Sequence, residues 1–114
     1  MVVLHLSGGL GNQMFQYAFG LAHAKRLRTD LKLELTDPTL IIHNGFELER
    51  IFNIQASKAT QTDIQAVLGI YRHRFIRKVF KVTCVSKIFK SPCIEEPYFH
   101  FSPAMLAIPD NSYI

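Results

Sequence analysis

The strongest constraint on the fold of this chain is the glycine-rich stretch Gly8-Gly9-Leu10-Gly11-Asn12-Gln13, hereafter the glycine motif. An apolar, β-rich segment precedes it at residues 1–6, and a helical pattern follows it over residues 13–28. A strand, a glycine turn and a helix in this order build ligand sites in open α/β sheets. Glycine lets the backbone approach a ligand closely, and the first helical N–H groups point towards that ligand. The glycine motif is therefore the first candidate for a functional site.

A second predicted strand completes a βαβ unit around the motif. Residues 31–36 alternate leucine with polar side chains, which is the period-two pattern of a strand. Because strand, helix and strand fit within the first 36 residues, we predict a parallel sheet with a right-handed crossover. A further strand is predicted to begin at residues 112–114, directly after a turn. The sequence thus indicates an α/β fold with a mainly parallel sheet.

The helix predicted over residues 13–28 is apolar around most of its circumference, so we expect it to be buried on more than one side. Asn12 is a favourable N-cap for this helix, and capping is an alternative to ligand contact at that position. Gln13 and Gln16 lie one turn apart, and buried amides need hydrogen-bond partners. We assign a site role to Gln13 and a structural role to Gln16. The five histidines lack metal-ligand spacing, and only His5, on the strand beside the motif, attracts attention.

The segment after the second strand carries shorter signals. Asp37-Pro38 ends the strand and Asn44-Gly45 marks a turn. Residues 46–49 then alternate apolar and acidic side chains as a strand does, and residues 51–54 are predicted to be an apolar anchor under a loop. A helix is predicted over residues 60–68, with Ser57 or Thr60 as its cap.

Positive charge is concentrated in the last third of the chain. The formal charge is +4, and seven of the 13 basic residues lie between Arg72 and Lys90. The basic face of a helix predicted over residues 71–84 comprises Arg74, Arg77, Lys78 and Lys81. Such a face suits peripheral contact with an anionic membrane, and ordinary packing of a surface helix is the alternative. No nucleic-acid partner is expected, because no recognition motif accompanies the charge.

The cysteine content and the N-terminus bear on location. Cys84 and Cys93 do not make a disulfide framework, which favours a reduced, cytoplasmic protein. The N-terminus lacks the features of a signal peptide, and no run of about 18 apolar residues is present to span a bilayer. The expected location is therefore the cytoplasm, with peripheral contact at the inner face of the membrane.

Twelve consecutive residues around the motif, Ser7-Gly-Gly-Leu-Gly-Asn-Gln-Met-Phe-Gln-Tyr-Ala18, resemble the N-terminal signature of the α-1,2-fucosyltransferase family of glycosyltransferases. Residues 45–54 resemble that family's next block, and residues 95–106 fit it more loosely, so the resemblance covers nearly the whole chain. Members of the family are much longer. Their His-x-Arg-x-Gly-Asp-type motif, whose arginine is expected to grip the GDP diphosphate, has no counterpart in this sequence.

The resemblance implies a Rossmann-like, parallel-sheet N-terminal domain of a GT-B-like glycosyltransferase. Residues 1–114 would be an incomplete, truncated form of that domain, with the C-terminal donor-binding domain absent. The implied reaction transfers fucose from GDP-fucose to the 2-hydroxyl of a galactoside-type glycan with inversion, without a metal or cofactor. The implied substrate-binding residues are Gly9, Gly11, Asn12 and Gln13, and no catalytic residue is assigned. The 114-residue chain alone is expected to be inactive.

Other interpretations stay open on the sequence. A dinucleotide fingerprint needs a third glycine where this chain has Met14, although Glu34 could mimic its ribose-binding acid. A non-catalytic fragment would bind a glycan or nucleotide only. A module built on residues 72–90 would bind membranes or nucleic acid in a salt-sensitive manner. The glycine motif could also be a plain strand–helix connection, as in many α/β proteins.

Overall fold

A computed structural model describes residues 1–69, 107–108 and 110–114 of the chain. Its elements in chain order are β1 (Val2–His5), α1 (Leu10–Leu27), β2 (Leu31–Glu34), α2 (Pro38–Ile42), α3 (Glu47–Phe52), α4 (Gln61–Leu68) and β3 (Ser112–Tyr113). The predicted basic helix over residues 71–84 and both cysteines lie outside the described residues. No helix within the described ranges combines the length and the apolar character that crossing a membrane requires.

The three strands form a parallel sheet in the order β2-β1-β3, so β1 is central. Its register with β2 runs from Val2 opposite Leu31 to His5 opposite Glu34, and β3 joins its other edge. Parallel neighbours need a crossover connection, which α1 supplies between β1 and β2. The predicted α/β fold with a parallel βαβ unit is confirmed, and so is the strand near the end of the chain.

The core lies on both faces of β1. Val3 packs with Ile64, Val67 and Leu68, so α4 covers one face of the sheet. The next residue, Leu4, packs on the opposite face in a cluster that includes Leu6, Leu33 and Leu48. A parallel strand that is covered on both faces reads as a continuous apolar run, which explains the sequence of β1.

Helix α1 approaches the sheet closely because a glycine faces it. A Cβ atom at Gly20 would lie only 2.8 Å from Leu4 Cδ2 and 3.3 Å from Leu31 Cδ1. Two large apolar side chains of the helix point away from the sheet, since Met14 is 45% and Phe15 is 83% exposed. Within the described part of the chain, the expectation that this helix is buried on several sides is wrong. One face of the helix contacts the sheet, through Gly20 and through the partly buried side chains of Leu10 and Tyr17.

Residues 37–54 depart most from the predictions. Asp37 caps a short, unpredicted helix, α2, whose first residue is Pro38. The alternating segment after Gly45 forms helix α3 instead of extended chain, because four alternating residues fit one helical turn as well as a strand. The predicted apolar anchor is wrong in part, as Ile51 and Phe52 are 45% and 49% exposed.

The helix predicted over residues 60–68 is confirmed as α4, and its cap is Thr60 rather than Ser57. The Thr60 hydroxyl accepts from the Asp63 backbone N–H, while the Asp63 carboxylate accepts from the Thr60 backbone N–H. This reciprocal capping box satisfies two amide groups that the first turn of a helix leaves without intrahelical partners.

Candidate functional site

The carboxyl edge of the sheet gathers the candidate residues. The glycine motif follows β1, which ends at His5, while the neighbouring β2 ends at Glu34. Ligands of open α/β sheets bind in the crevice outside the carboxyl ends of the strands. The predicted motif therefore lies where this architecture places ligands.

The glycine motif forms a tight turn and then the first turn of α1. Gly8 has a φ of 74°, and a Cβ there would lie 2.6 Å from Asn12 Nδ2. Gly9 is the N-cap residue, and no side chain caps the helix by hydrogen bonding to it. The prediction that Asn12 is the N-cap is thus wrong, because the helix begins at Leu10, two residues before Asn12. Asn12 is exposed in the first turn, with its side chain close to Gly8.

Space around the motif is greatest at Gly11. A Cβ atom at Gly11 would meet no described atom within 4 Å, whereas one at Gly9 would lie 3.6 Å from His43 Nδ1. The start of α1 also carries backbone N–H groups without intrahelical partners, and the helix dipole makes this end partly positive. The exposed Gly11 backbone is therefore where a negatively charged or polar group can come closest to the helix.

The buried side chain of Gln13 supports the glycine motif through hydrogen bonds. Its side chain is fully buried, and Nε2 donates to the carbonyl oxygens of Gly8 and Gly45 at 3.0 Å and 2.9 Å. Its Oε1 accepts from the Glu47 backbone N–H at 3.0 Å. These contacts make Gln13 a support for the turn, and direct contact of this residue with substrate stays a prediction.

Gln16 ties the turn to α1 one helical turn later. Its Oε1 accepts from the Ser7 backbone N–H at 3.0 Å, and its Nε2 donates to the Ser7 hydroxyl at 3.1 Å. The structural role predicted for Gln16 is thus confirmed. Both glutamines fix the residues that immediately surround Gly8 and Gly9.

Four ionisable side chains meet beside the motif, and we call them the His5 cluster: His5, Glu34, Asp37 and Tyr113. His5 Nδ1 contacts Glu34 Oε2, and His5 Nε2 lies 3.0 Å from Asp37 Oδ2. The Tyr113 hydroxyl donates to Glu34 Oε2 at 3.0 Å and lies 3.1 Å from His5 Nδ1. Each ring nitrogen of His5 therefore faces a carboxylate, one at the end of β2 and one at the N-cap of α2.

The contacts within the His5 cluster set its charges. The contact with Glu34 raises the pKa of His5 above its ordinary value, burial opposes this, and Asp37 adds to the rise. Burial acts against ionisation of Glu34, but hydrogen bonds from His5, Thr36 and Tyr113 outweigh it and hold the pKa of Glu34 at about 2. The Thr39 hydroxyl, followed by smaller contributions that include His5, lowers the pKa of Asp37. An imidazolium between two carboxylates is the state that these contacts favour.

The sequence did not reveal most of this cluster. The sequence pattern predicts Asp37 only as the end of a strand, although Asp-Pro-Thr is also the start signal of a helix. Tyr113 is 108 residues away from His5 along the chain, and only the pairing of β3 with β1 brings it close. Of the described residues, no group of three His, Cys, Asp or Glu side chains is arranged to hold a metal ion.

A surface cavity of about 250 Å³ lies at the opposite, amino end of β2. Its lining includes Tyr17, Lys25, Asp30 and Gln55. Because ligands of parallel sheets bind at the carboxyl ends of strands, we do not assign this cavity to the function of the motif.

Comparison with known proteins supports a relationship to glycosyltransferases. The chain is 37% identical over 92 residues to an α-1,2-colitosyltransferase of Escherichia coli. The matched region is 80% of this chain but 31% of that enzyme, so the chain spans about a third of the length of the relative it matches. No protein-family model and no solved structure matches the chain.

Proposed function

We propose that this chain belongs to an α-1,2-glycosyltransferase and contributes part of the site that binds its donor and acceptor. The observation that carries this proposal is the 37% identity to an α-1,2-colitosyltransferase. The signature around the glycine motif, which resembles α-1,2-fucosyltransferases, supports the same linkage. Both lines agree on transfer to a 2-hydroxyl and differ only in the sugar that is transferred.

For the donor we propose GDP-fucose, and for the acceptor a galactoside-type glycan. Colitose is the 3-deoxy form of fucose, so the two sugars differ at C3 alone. A site that hydrogen-bonds a hydroxyl rejects an analogue without it strongly, whereas an apolar site tolerates the difference. The choice between fucose and colitose therefore depends on whether the protein places a polar group opposite C3.

The proposed reaction is a direct displacement. The oxygen of the acceptor hydroxyl attacks C1 of the fucose, the bond from C1 to the GDP oxygen breaks, and GDP leaves with the electron pair. The hydroxyl proton passes to a general base, which we do not assign. Negative charge grows on the departing GDP, so hydrogen-bond donors and a helix N-terminus placed near it stabilise the transition state.

The roles that we propose for the motif follow from its geometry. Gly9, Gly11 and Asn12 offer backbone groups at the start of α1, where no side chain caps the helix. Gln13 supports the turn, because its buried side-chain amide is hydrogen-bonded to backbone groups of Gly8, Gly45 and Glu47. The proposed mechanism uses no metal or other cofactor, and a second, donor-binding domain of a GT-B-like enzyme would complete the site.

Location and membrane contact are proposed from the sequence pattern alone. We propose a cytoplasmic protein that touches the inner face of the membrane through Arg74, Arg77, Lys78 and Lys81. Binding to vesicles that contain anionic lipid should then fall steeply as salt rises, because exposed charges are screened. Equal binding to neutral vesicles would contradict this part of the proposal.

A chimera tests the enzymatic proposal. In it, this chain replaces the matching region of the E. coli relative, and transfer from GDP-fucose or GDP-colitose to lactose is measured. We expect transfer from at least one donor, and loss of at least tenfold in kcat/KM when Gly11→Ala places a methyl group where the donor approaches. Ala22→Ser, an exposed change on the same helix, is the matched control and should leave transfer unchanged. Donor binding without transfer would favour a non-catalytic binding fragment.

A further inference from the structure

The His5 cluster and the glycine motif are joined into one closed ring of contacts. Along the backbone, only Leu6 and Ser7 separate His5 from Gly8. Through space, His5 Nε2 lies 3.0 Å from Asp37 Oδ2, and Asp37 Oδ1 accepts from the backbone N–H of Thr39 at 2.8 Å and from its hydroxyl. The Thr39 hydroxyl oxygen in turn accepts from the Gly8 backbone N–H at 2.7 Å.

The direction of each hydrogen bond makes this ring specific. A threonine hydroxyl has a single proton, which Thr39 gives to Asp37, so its oxygen is left to accept from Gly8. Gly8 is the residue of the motif with a left-handed φ of 74°, and its amide therefore reports the shape of the turn. A displacement of Asp37 would move Thr39 and release the Gly8 amide.

We propose that His5 is a positioning residue of the donor site: its imidazolium bridges Glu34 and Asp37, and this bridge fixes the glycine turn through Thr39. This inference rests on the proposed function for its ligand, and on the described contacts for its mechanism. Loss of the His5 proton removes the cation from between two carboxylates. Asp37 then keeps its hydrogen bonds from Thr39 but loses its cationic partner, and the edge of the sheet that faces an anionic nucleotide sugar becomes more negative.

The described groups that face His5 come from three elements. They are Glu34 at the end of β2, Asp37 at the N-cap of α2, and Tyr113 on β3. The two carboxylates stabilise the protonated ring, in agreement with the raised pKa of His5. The bridge is therefore complete below the ordinary histidine pKa of 6.5 and is lost as the pH rises through the raised pKa of folded His5.

The test uses the full 114-residue chain labelled with ¹⁵N at glycine, which gives six backbone amide signals. Hydrogen exchange at the Gly8 amide is followed from pH 6 to pH 9, with correction for the intrinsic exchange rate. We expect its protection to fall at least tenfold across this range, while Gly20 in the middle of α1 keeps its own protection. In His5→Gln the Gly8 amide should be unprotected at every pH. In His43→Gln, which changes the histidine near Gly9, it should behave as in the parent chain.

Variants of Thr39 keep the test decisive if His5→Gln does not fold. Thr39→Val removes the acceptor for Gly8 and should abolish both the protection and its pH dependence, whereas Thr39→Ser should restore them. Gly8 protection that is independent of pH, or equal in Thr39→Val and the parent chain, overturns the proposal. None of these measurements needs a donor. A separate titration with GDP-fucose at pH 6 and pH 9 reports on the proposed function, whose failure would leave the exchange result intact.

Discussion

The two turns that leave the carboxyl edge of the sheet are built in opposite ways. The turn after β1 is made of glycines, and the N-cap of its helix, Gly9, makes no side-chain bond. The turn after β2 carries the polar side chains of Thr36 and Asp37, and Asp37 caps its helix by accepting from Thr39. The start of α1 is therefore left without a side-chain cap, whereas the start of α2 is capped by Asp37.

This difference indicates that the two turns have different roles, one in binding and one in support. An open turn is useful for binding only if something else holds its shape, because glycine itself constrains the backbone weakly. Thr39, from the second turn, accepts from the Gly8 amide, and Gln13 binds the Gly8 carbonyl from below. The turn after β2 thus supports the glycine turn, and the glycine turn is the part that a ligand can approach.

The largest effect is expected from Gln13→Leu, which removes the support of the open turn. The change leaves the buried Glu47 N–H and two carbonyl groups without their partner, which should lower the free energy of unfolding by about 3 kcal/mol. Urea unfolding followed by circular dichroism measures this loss. Gln65→Leu, an exposed position on α4, is the control and should change stability little. Similar losses in the two variants would contradict the supporting role of Gln13.

Two glycines of the motif should respond to alanine with opposite signs. Gly8→Ala forces a side chain into a left-handed conformation and towards Asn12, so we expect a loss of about 2 kcal/mol. Gly11→Ala lies in a helix and meets no described atom within 4 Å. It should therefore stabilise the chain by about 0.5 to 1 kcal/mol. Thermal unfolding of the two variants measures both changes in stability. Destabilisation by Gly11→Ala would contradict the open space around that residue.

The contribution of the His5 cluster to stability should be confined to a pH window. A raised pKa of His5 means that its stabilising effect is complete below the ordinary value of 6.5 and is lost as the pH rises through the folded pKa. The lowered pKa of Glu34 gives stabilisation above its ordinary value of 4.5, which is lost as the pH falls towards about 2. Urea midpoints of the parent chain should therefore fall between pH 6.5 and pH 9, and those of His5→Gln should change less. If the urea midpoints of the parent chain and of His5→Gln fall equally with pH, the proposed contribution of the His5 cluster to stability is contradicted.

The smallest effect is expected at Phe15, which is 83% exposed on the first turns of α1. Phe15→Ser should change the free energy of unfolding by less than about 0.5 kcal/mol, because little apolar contact is lost. Phe46→Ser, at a partly buried position in the cluster around Leu4, is the contrasting variant and should cost more. Equal effects would show that Phe15 is covered within the folded chain.

The fold of the first strand, helix and strand could be predicted because long periodic patterns and glycines specify it locally. The apolar run of β1 and the leucine alternation of β2 each had one consistent interpretation. The burial of α1 could not be predicted from its apolar residues, since contact with the sheet occurs through Gly20 and leaves Phe15 exposed.

The site was predictable in part for the same physical reason. The glycine motif is contiguous, so the sequence reveals it. The site role assigned to Gln13 stays a prediction, since its described contacts are those of a support for the turn. The His5 cluster depends on parallel strand pairing between residues as far apart as His5 and Tyr113. Such long-range contacts follow from the assembled sheet and have no local signal.

Titration of the glycine-labelled chain with millimolar GDP-fucose tests the central claim most directly. If the open turn binds the donor, the amide signals of Gly9 and Gly11 should shift progressively, while Gly20 and Gly69, which lie away from the motif, should stay in place. In Gly11→Ala, the affinity for GDP-fucose that is measured from the shift of the Gly9 signal should be at least tenfold lower. Absence of any shift at Gly9 and Gly11, or shifts of equal size at Gly69, would contradict the proposed contact between the glycine motif and the donor.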